Sequence, residues 1–165
     1  MTRQEISEFY REHHRRLYNI SLRILRDPAE AEEVMQDTLL KYLSAPGTFA
    51  SPAQVSAWLA RTCIRASIDR LRKKRRHDAF LEDYALQEDA QGPDETEDAG
   101  PLPDISQVRT AMDALPEPYR LVLCLVLIEG LDYGEIAALT GRKETTLRSL
   151  YARGRHKLIE LLKEI

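Results

Sequence analysis

Residues 130–157, GLDYGEIAALTGRKETTLRSLYARGRHK, contain the signals of two short helices joined by a tight turn. Asp132 is followed three residues later by Glu135, a capping box that pairs free amide groups at the start of a helix. Gly141 follows this first helix, and glycine adopts the positive φ of a sharp turn at no steric cost. The spacing therefore predicts a helix-turn-helix.

The second helix of this motif is predicted to begin near Lys143 and to have one apolar and one polar face. Leu147 and Leu150 face inward, and the small Ala137 allows the two helices to approach closely. The outward face carries donors suited to base edges and phosphates: Arg142, Lys143, Thr145, Thr146, Arg148, Ser149 and Arg153. This pattern favours DNA binding. An ordinary helical hairpin with a solvated basic face is the alternative.

The charges are segregated along the 165 residues, although the formal net charge is only −3. One block contains the bases Arg61, Arg65, Arg70, Arg72, Lys73, Lys74, Arg75 and Arg76 against the single acid Asp69. The next block, without any base, contains Asp78, Glu82, Asp83, Glu88, Asp89, Asp94, Glu95, Glu97, Asp98 and Asp104. Blocks of one sign commonly serve as interaction surfaces or tails. The length suits one ordinary domain or two small ones.

Three helices are predicted before the basic block ends. Apolar residues at helical spacing from Phe9 to Ile24 indicate a first helix that ends near Arg26. Asp27-Pro28 and Ser51-Pro52 are start signals for the second and third helices, with residues 45–51 forming a loop. The second helix buries Ala31, Val34, Met35, Thr38, Leu39 and Tyr42. Its other face, with Glu30, Glu32, Glu33, Gln36, Asp37 and Lys41, is either a solvated face or a docking surface.

The third helix combines an apolar stripe with a basic one. Arg61, Arg65, Arg72 and Arg76 recur along one side, which suits a polyanion such as nucleic acid. The helix dipole would favour a few bases at this end, but not eight. Trp58 is interpreted as a core residue, with a platform for an unstacked base as the alternative.

The acidic block is predicted to be a linker, because it has few apolar residues and several glycines and prolines. It could fold back on the basic helix, thread a basic channel in a partner, or act as a spacer. A second helical unit follows. In it, residues 108–115 form a short helix, Leu121–Ile128 form a buried helix that is apolar on every side, and Gly130 caps that helix.

Several functional classes are disfavoured. Cys63 and Cys124 lack CxxC spacing and are interpreted as reduced core residues, and no histidine, cysteine or carboxylate cluster has metal or triad spacing. We therefore expect no metal, no cofactor and no enzymatic activity. Residues 1–12 are polar, which argues against a signal peptide, and no apolar run is long enough to cross a membrane. We expect a soluble, cytoplasmic monomer without membrane insertion.

The order of these motifs resembles the extracytoplasmic-function sigma factors of bacterial RNA polymerase. The resemblance rests on DPAEAEEVMQDT at 27–38, Trp58-Leu59, Asp69, Arg72, Leu115-Pro116, Arg120, Glu129-Gly130, Tyr133, Glu135-Ile136-Ala137, Gly141, Thr146 and 153–155. It spans nearly the whole chain except the acidic linker. It implies an all-α fold of two small helical domains, a region 2-like domain at 1–77 and a region 4-like domain at 105–165, joined by a flexible acidic linker at 78–104.

The resemblance also implies a role for each surface. The second helix would bind the coiled coil of the polymerase β′ subunit through Glu32, Glu33, Gln36, Asp37 and Lys41. The minus-ten promoter element would be recognised and opened by Thr48, Phe49, Ser51, Trp58, Arg61, Arg65, Arg72 and Arg76. The outward face of the helix-turn-helix would recognise the minus-thirty-five element, region 4 would also contact the β flap, and the linker would pass through the RNA-exit path.

The predicted function is promoter-specific transcription initiation with core RNA polymerase, and the resemblance adds an anti-sigma factor as a candidate partner. A sigma-like decoy, an antagonist and a stand-alone helix-turn-helix regulator are the alternatives. The basic helix and the helix-turn-helix argue against a decoy, which would need neither.

Overall fold

The computed structural model describes residues 1–44, 47, 49–75 and 104–164, and within these ranges it contains seven helices and no strand. The chain divides into two compact units, Met1–Arg76 and His77–Ile165. The predicted all-α class is confirmed. The predicted linker lies outside the described residues except for Asp104.

The first unit is a bundle of three helices, α1 (Arg3–Leu25), α2 (Pro28–Ser44) and α3 (Pro52–Arg75), each of which contacts the other two. Apolar residues recur every three or four positions on each helix, so each helix buries one face. The bundle core contains Leu17, Ile20, Ile24, Ala31, Val34, Met35, Leu39, Leu59, Ile64 and Ile68. Tyr42, which was also expected inside, is half-buried at the end of α2.

The predicted start signals of α2 and α3 are confirmed. The Asp27 carboxylate accepts hydrogen bonds from the amides of Ala29 (3.0 Å) and Glu30 (3.2 Å), and Ser51 Oγ accepts one from the Gln54 amide (3.3 Å). These side chains pair amides that have no partner inside the helix. The caps therefore fix where each helix begins.

Polar groups in the core of the first unit have partners. Ser67 Oγ donates to the Cys63 carbonyl and lies 2.8 Å from Ser21 Oγ, and Thr38 Oγ1 donates to the Val34 carbonyl at 2.7 Å. The Cys63 thiol is 3.3 Å from the Leu17 carbonyl. Both cysteines are buried and unbridged, as predicted.

The second unit contains α4 (Ile105–Ala114), α5 (Glu117–Leu123) with a π-helical turn over Cys124–Ile128, α6 (Tyr133–Thr140) and α7 (Glu144–Lys163). The last helix organises the unit, because α4, α5 and α6 all pack against it. Leu158 joins the core there, and Leu161 and Leu162 pack on its edge. A capping box of Asp104 with Gln107, which was not predicted, begins α4.

The prediction that Leu121–Ile128 is buried on every side is wrong. Leu123 and Leu125 are fully buried, but 55% of Leu127 and 49% of Ile128 are exposed. The Glu129 amide bonds the Cys124 carbonyl at 3.1 Å, the five-residue spacing of a π turn. This wider turn rotates the last residues away from the inner face. Gly130, with φ of 71°, ends the element as predicted.

A close contact between α5 and α7 has no counterpart in the sequence predictions. Gly154 is buried in the middle of α7, and a Cβ added there would lie 3.0 Å from Tyr119 Cβ and 3.4 Å from Tyr119 Cα. Tyr119 is itself fully buried. The missing side chain at position 154 therefore allows the two backbones to approach, which holds α7 in place.

Candidate nucleic-acid interface

The helix-turn-helix is formed by α6 and α7. The carboxylate of Asp132 accepts a hydrogen bond from the Glu135 amide at 2.8 Å, and Glu135 Oε1 accepts one from the Asp132 amide at 3.0 Å. Gly141 has φ of 77°, and its amide bonds the Ala137 carbonyl. The capping box and the left-handed turn are thus both confirmed, and together they fix where α6 begins and ends.

The inner face of α7 is held by residues three or four positions apart. Leu147 and Leu150 are at most 1% exposed, and Ile136 of α6 is fully buried. The opposite face is therefore presented to solvent. On it Thr145 and Arg148 are exposed, while Thr146 and Ser149 are half-buried. Just before the helix begins, Lys143 is exposed and Arg142 is half-buried.

Arg153 does not belong to this exposed face, and the prediction that placed it there is wrong. Only 7% of Arg153 is exposed. It lies three residues after Leu150 and next to Gly154, both of which face the interior. The sequence prediction extended the outward face of α7 from Ser149 to Arg153, but position 153 lies in the buried stripe of the helix. Arg153 is therefore removed from the candidate DNA contacts.

Arg148 is held from two sides. Its guanidinium carbon lies 5.2 Å from the centre of the Tyr133 ring, and Nη2 lies 3.4 Å from Glu144 Oε1. The Tyr133 ring meets Tyr151 edge-on at 6.3 Å. Burial raises the pKa of Tyr133, with a further contribution from Tyr151, so its hydroxyl is protonated at neutral pH. Because 58% of the Arg148 side chain remains exposed, the guanidinium is positioned but accessible.

Tyr133 and Glu144 were not among the predicted site residues. The pair Glu144 and Arg148 has the i,i+4 spacing that commonly joins an acid and a base on one helix, so the sequence did contain that signal. The contact between Tyr133 and Arg148 joins two helices and depends on their packing.

The bases of α3 point in two directions. Arg61, Arg65 and Arg72 are exposed along one side, and Arg72 Nη1 is 4.0 Å from Asp69. Arg70 and Lys74, which are half a turn away from this row, instead contact acids of α2. Arg61, Arg65 and Arg72 therefore lie along one exposed side of α3, as the sequence predicts, while Arg76 lies outside the described residues. The binding of a polyanion to this side stays a prediction.

Aromatic side chains form a half-buried cluster at one end of the first unit. Tyr42 is central, since its ring lies 4.8 Å from Phe9 and 6.0 Å from both Phe49 and Trp58. His13 packs on Phe9 at 4.7 Å, and its pKa is lowered chiefly by burial. Trp58 therefore packs in an aromatic cluster at the surface, rather than in the deep core.

The loop before α3 brings some predicted contacts to this cluster. Phe49 and Trp58 are 6.2 Å apart, and Ser51 caps α3 through its hydroxyl oxygen. Thr48 lies outside the part of the chain that the structure describes. Phe49, Ser51 and Trp58 are all half-buried, so each still presents part of its surface to solvent.

The polar face of α2 is exposed but not free of contacts. The predicted docking residues Glu32, Glu33, Gln36, Asp37 and Lys41 are all exposed. Arg70 of α3 reaches across, with Nη1 at 3.0 Å from Glu33 and Nη2 at 3.6 Å from Asp37. Lys74 pairs with Glu30, which anchors the start of α2 to α3. These contacts hold the acidic face of α2 in a fixed position relative to the basic helix.

Neither a metal site nor a membrane span is present in the described part of the chain. Across 1–44, 47, 49–75 and 104–164 no three histidines, cysteines or carboxylates are grouped to hold a metal ion. Within the same ranges, none of the helices combines the length and the apolar character needed to cross a membrane.

Two family models match the chain, Sigma-70 region 2 over residues 9–77 and Sigma-70, region 4 over residues 105–158. The ECF RNA polymerase sigma factor SigM of Mycobacterium tuberculosis is 32% identical over 161 residues, covering 97% of this chain and 78% of SigM. The RNA polymerase sigma factor CarQ of Myxococcus xanthus is 31% identical over 164 residues, covering 96% of this chain and 89% of CarQ.

A solved structure has the same fold: the sigma factor RpoE in complex with the anti-sigma factor NepR from Bartonella quintana. It matches with a TM-score of 0.59 and 22% identity, covering 97% of this chain and 98% of that chain.

Two helical units that match regions 2 and 4 define a sigma factor. The chain belongs to the extracytoplasmic-function (ECF) family of sigma factors. It therefore binds core RNA polymerase and promoter DNA and directs transcription initiation. Sigma factors are themselves non-enzymatic initiation factors.

Proposed function

We propose that three surfaces of this sigma factor divide the work of initiation. The acidic face of α2 binds the coiled coil of the polymerase β′ subunit. The exposed row of α3, with Phe49, Ser51 and Trp58, contacts the minus-ten element, and the outward face of α7 contacts the minus-thirty-five element. The observation that carries this assignment is the exposure of Arg65, Arg72 and Arg148 on two separate helical units.

The domain limits follow the same division. Residues 1–77 form the polymerase- and minus-ten-binding domain and residues 105–165 form the minus-thirty-five-binding domain, a division supported by family matches over 9–77 and 105–158. The acidic residues 78–104 connect the two and pass through the RNA-exit path, while the second domain also contacts the β flap. The polymerase, and not this chain, forms the phosphodiester bonds of the transcript. We infer that the protein acts in the cytoplasm, where the polymerase and the chromosome are.

An anti-sigma factor is a further partner that we infer. One solved structure that shares this fold is a complex with such a protein. We expect that this chain is likewise bound by an anti-sigma factor when its promoters are silent.

Reversing one charge on α2 tests the polymerase-binding surface. Glu32 is exposed on α2 and contacts Gln36 on the same face, so Glu32→Arg places a base where the proposal requires an acid. Like charges brought together at an interface cost several kcal/mol, so we expect affinity for core polymerase to fall at least tenfold, a change of about 1.4 kcal/mol. The affinity is measured by titrating core polymerase with labelled protein.

Glu8→Arg is the matched control, because Glu8 is an exposed acid on a different helix, α1, and is not among the proposed contacts. This substitution changes the net charge by the same amount as Glu32→Arg, and the affinity for core polymerase should stay within about twofold of that of the unchanged protein. Equal reductions for the two variants would argue against a specific role for α2.

The salt dependence of DNA binding by the holoenzyme tests the α3 row. The double variant Arg65→Ala, Arg72→Ala should reduce the slope of log affinity against log salt by about 0.9 for each duplex phosphate that is no longer neutralised, or about 0.7 on single strands. The double variant Arg70→Ala, Lys74→Ala removes the same two charges from the opposite side of α3, where Arg70 contacts Glu33 and Lys74 contacts Glu30. It should change the slope less. An unchanged slope in the variant of Arg65 and Arg72 would show that these side chains do not contact DNA.

A further inference from the structure

Glu144 is an acid on a helix face that otherwise carries bases and hydroxyls. It is the first residue of α7, and 49% of its side chain is exposed. A carboxylate close to the phosphates of a duplex is repelled by them, so its presence needs a reason. At the start of α7 its negative charge is stabilised by the positive end of the helix dipole, and it pairs with Arg148 one turn later. Each effect stabilises the helix by only tenths of a kcal/mol at an exposed site.

The position of Glu144 suits direct recognition of a base. The first turn of a recognition helix commonly contacts base edges in the major groove. Glu144 Oε1 lies 3.4 Å from Arg148 Nη2, and the guanidinium carbon of Arg148 lies 5.2 Å from the centre of the Tyr133 ring. The carboxylate is thus held beside the side chain proposed to contact DNA, and both groups are about half exposed. A hydrogen-bond acceptor, the Glu144 carboxylate, therefore lies next to the hydrogen-bond donors of the Arg148 guanidinium.

Base chemistry decides what this pair can select. Arginine donates to O6 and N7 of guanine, and cytosine offers N4–H as a donor in the major groove. An ionised carboxylate only accepts hydrogen bonds, so it suits cytosine and is repelled by the N7 acceptors of guanine and adenine.

We propose that Glu144 is a specificity-determining residue, which accepts a hydrogen bond from N4 of a cytosine next to the guanine contacted by Arg148. Tyr133 is a positioning residue that holds Arg148 against Glu144. This inference rests on the proposed role of α7 at the minus-thirty-five element. It assigns to this chain a cytosine preference that depends on a single carboxylate.

Selection of promoter DNA tests the inference. Holoenzyme made with the full chain is incubated with a library randomised through the minus-thirty-five element, and the bound DNA is sequenced. The unchanged protein should prefer cytosine about tenfold at one position next to a guanine. Glu144→Ala should bring all four bases at that position within about twofold, because alanine has no acceptor.

Glu144→Gln gives a sharper result. An amide of nearly the same shape accepts from N6–H and donates to N7 of adenine, so the preference should change from cytosine to adenine. This variant also keeps the test valid if the alanine variant folds poorly.

Glu160→Gln is the matched control, because Glu160 is another acid of α7 in an i,i+4 pair, here as the second member, with its Oε1 2.9 Å from Nε2 of His156. It lies about 24 Å further along the helix axis and should leave the selected sequences unchanged. Survival of the cytosine preference in Glu144→Ala would overturn the inference and leave Glu144 with a structural role only. If Arg148→Ala also leaves the selected sequences unchanged, the proposed role of α7 itself is wrong.

Discussion

Replacing Arg148 with alanine is expected to weaken the use of the minus-thirty-five element by about 1–3 kcal/mol, the contribution typical of a bidentate contact to a base. The side chain is 58% exposed and is held by Tyr133 and Glu144, so little conformational entropy is given up when it meets DNA. Lysine should not restore the contact, because it lacks the planar fork of donors. The effect is measured as holoenzyme affinity for a promoter with the selected minus-thirty-five element.

Two comparisons make this result specific. Arg155→Ala removes an equally charged, exposed residue of α7 that is not among the proposed contacts, and it should cost less than about 0.5 kcal/mol. The same promoter with a scrambled minus-thirty-five element shows whether the weakening depends on sequence. Equal weakening on both DNAs would assign Arg148 to a phosphate contact instead of a base contact.

Replacing Gly154 with valine is expected to destabilise the second unit by about 1–3 kcal/mol, the usual cost of overpacking a core. Its Cβ would meet Tyr119 Cβ at 3.0 Å, and Tyr119 Cα and Leu123 Cδ1 at 3.4 Å. Tyr119 and Leu123 are fully buried, so neither can move aside easily. Denaturant unfolding of the full chain, followed by helical circular dichroism, measures the change in midpoint and in free energy.

Arg155→Val serves as the matched control for valine at position 154. It introduces the same β-branched side chain into the same helix at an exposed position, so it should cost only the difference in helix propensity, at most about 0.7 kcal/mol. If the two valine variants unfold at the same midpoint, the close approach of α5 and α7 does not limit stability.

Features set by neighbouring residues were predictable from the sequence. The caps at Asp27, Ser51 and Asp132 and the left-handed glycines at 130 and 141 are local, because each depends on residues within about four positions. The periodicity of apolar residues likewise located the helices and most of their buried faces. These signals were enough for the fold class.

Features set by packing between helices were not predictable. The burial of Arg153 and the contact of Gly154 with Tyr119 depend on how α7 is rotated against α5. The π turn that exposes Leu127 is a change in helical repeat, which apolar composition does not reveal. In each case the decisive partner lies on another helix or in a backbone irregularity.

The candidate site shows the same limit. The sequence predicted a row of bases along one side of α3, and Arg61, Arg65 and Arg72 are exposed there, but it did not show that Arg70 and Lys74 contact α2 instead. Nor did it bring Tyr133 to Arg148, because that pair joins α6 to α7. The number of bases in the block therefore overestimates how many of them are available to contact DNA.

Run-off transcription with purified core polymerase tests most directly the claim that this chain starts transcription through two DNA-binding units. We expect that core polymerase alone gives no specific transcript, and that the added protein produces one transcript from a promoter carrying both selected elements. Scrambling either element should sharply reduce that transcript. A protein that fails to bind core polymerase, or that binds it without producing a promoter-dependent transcript, would contradict the account.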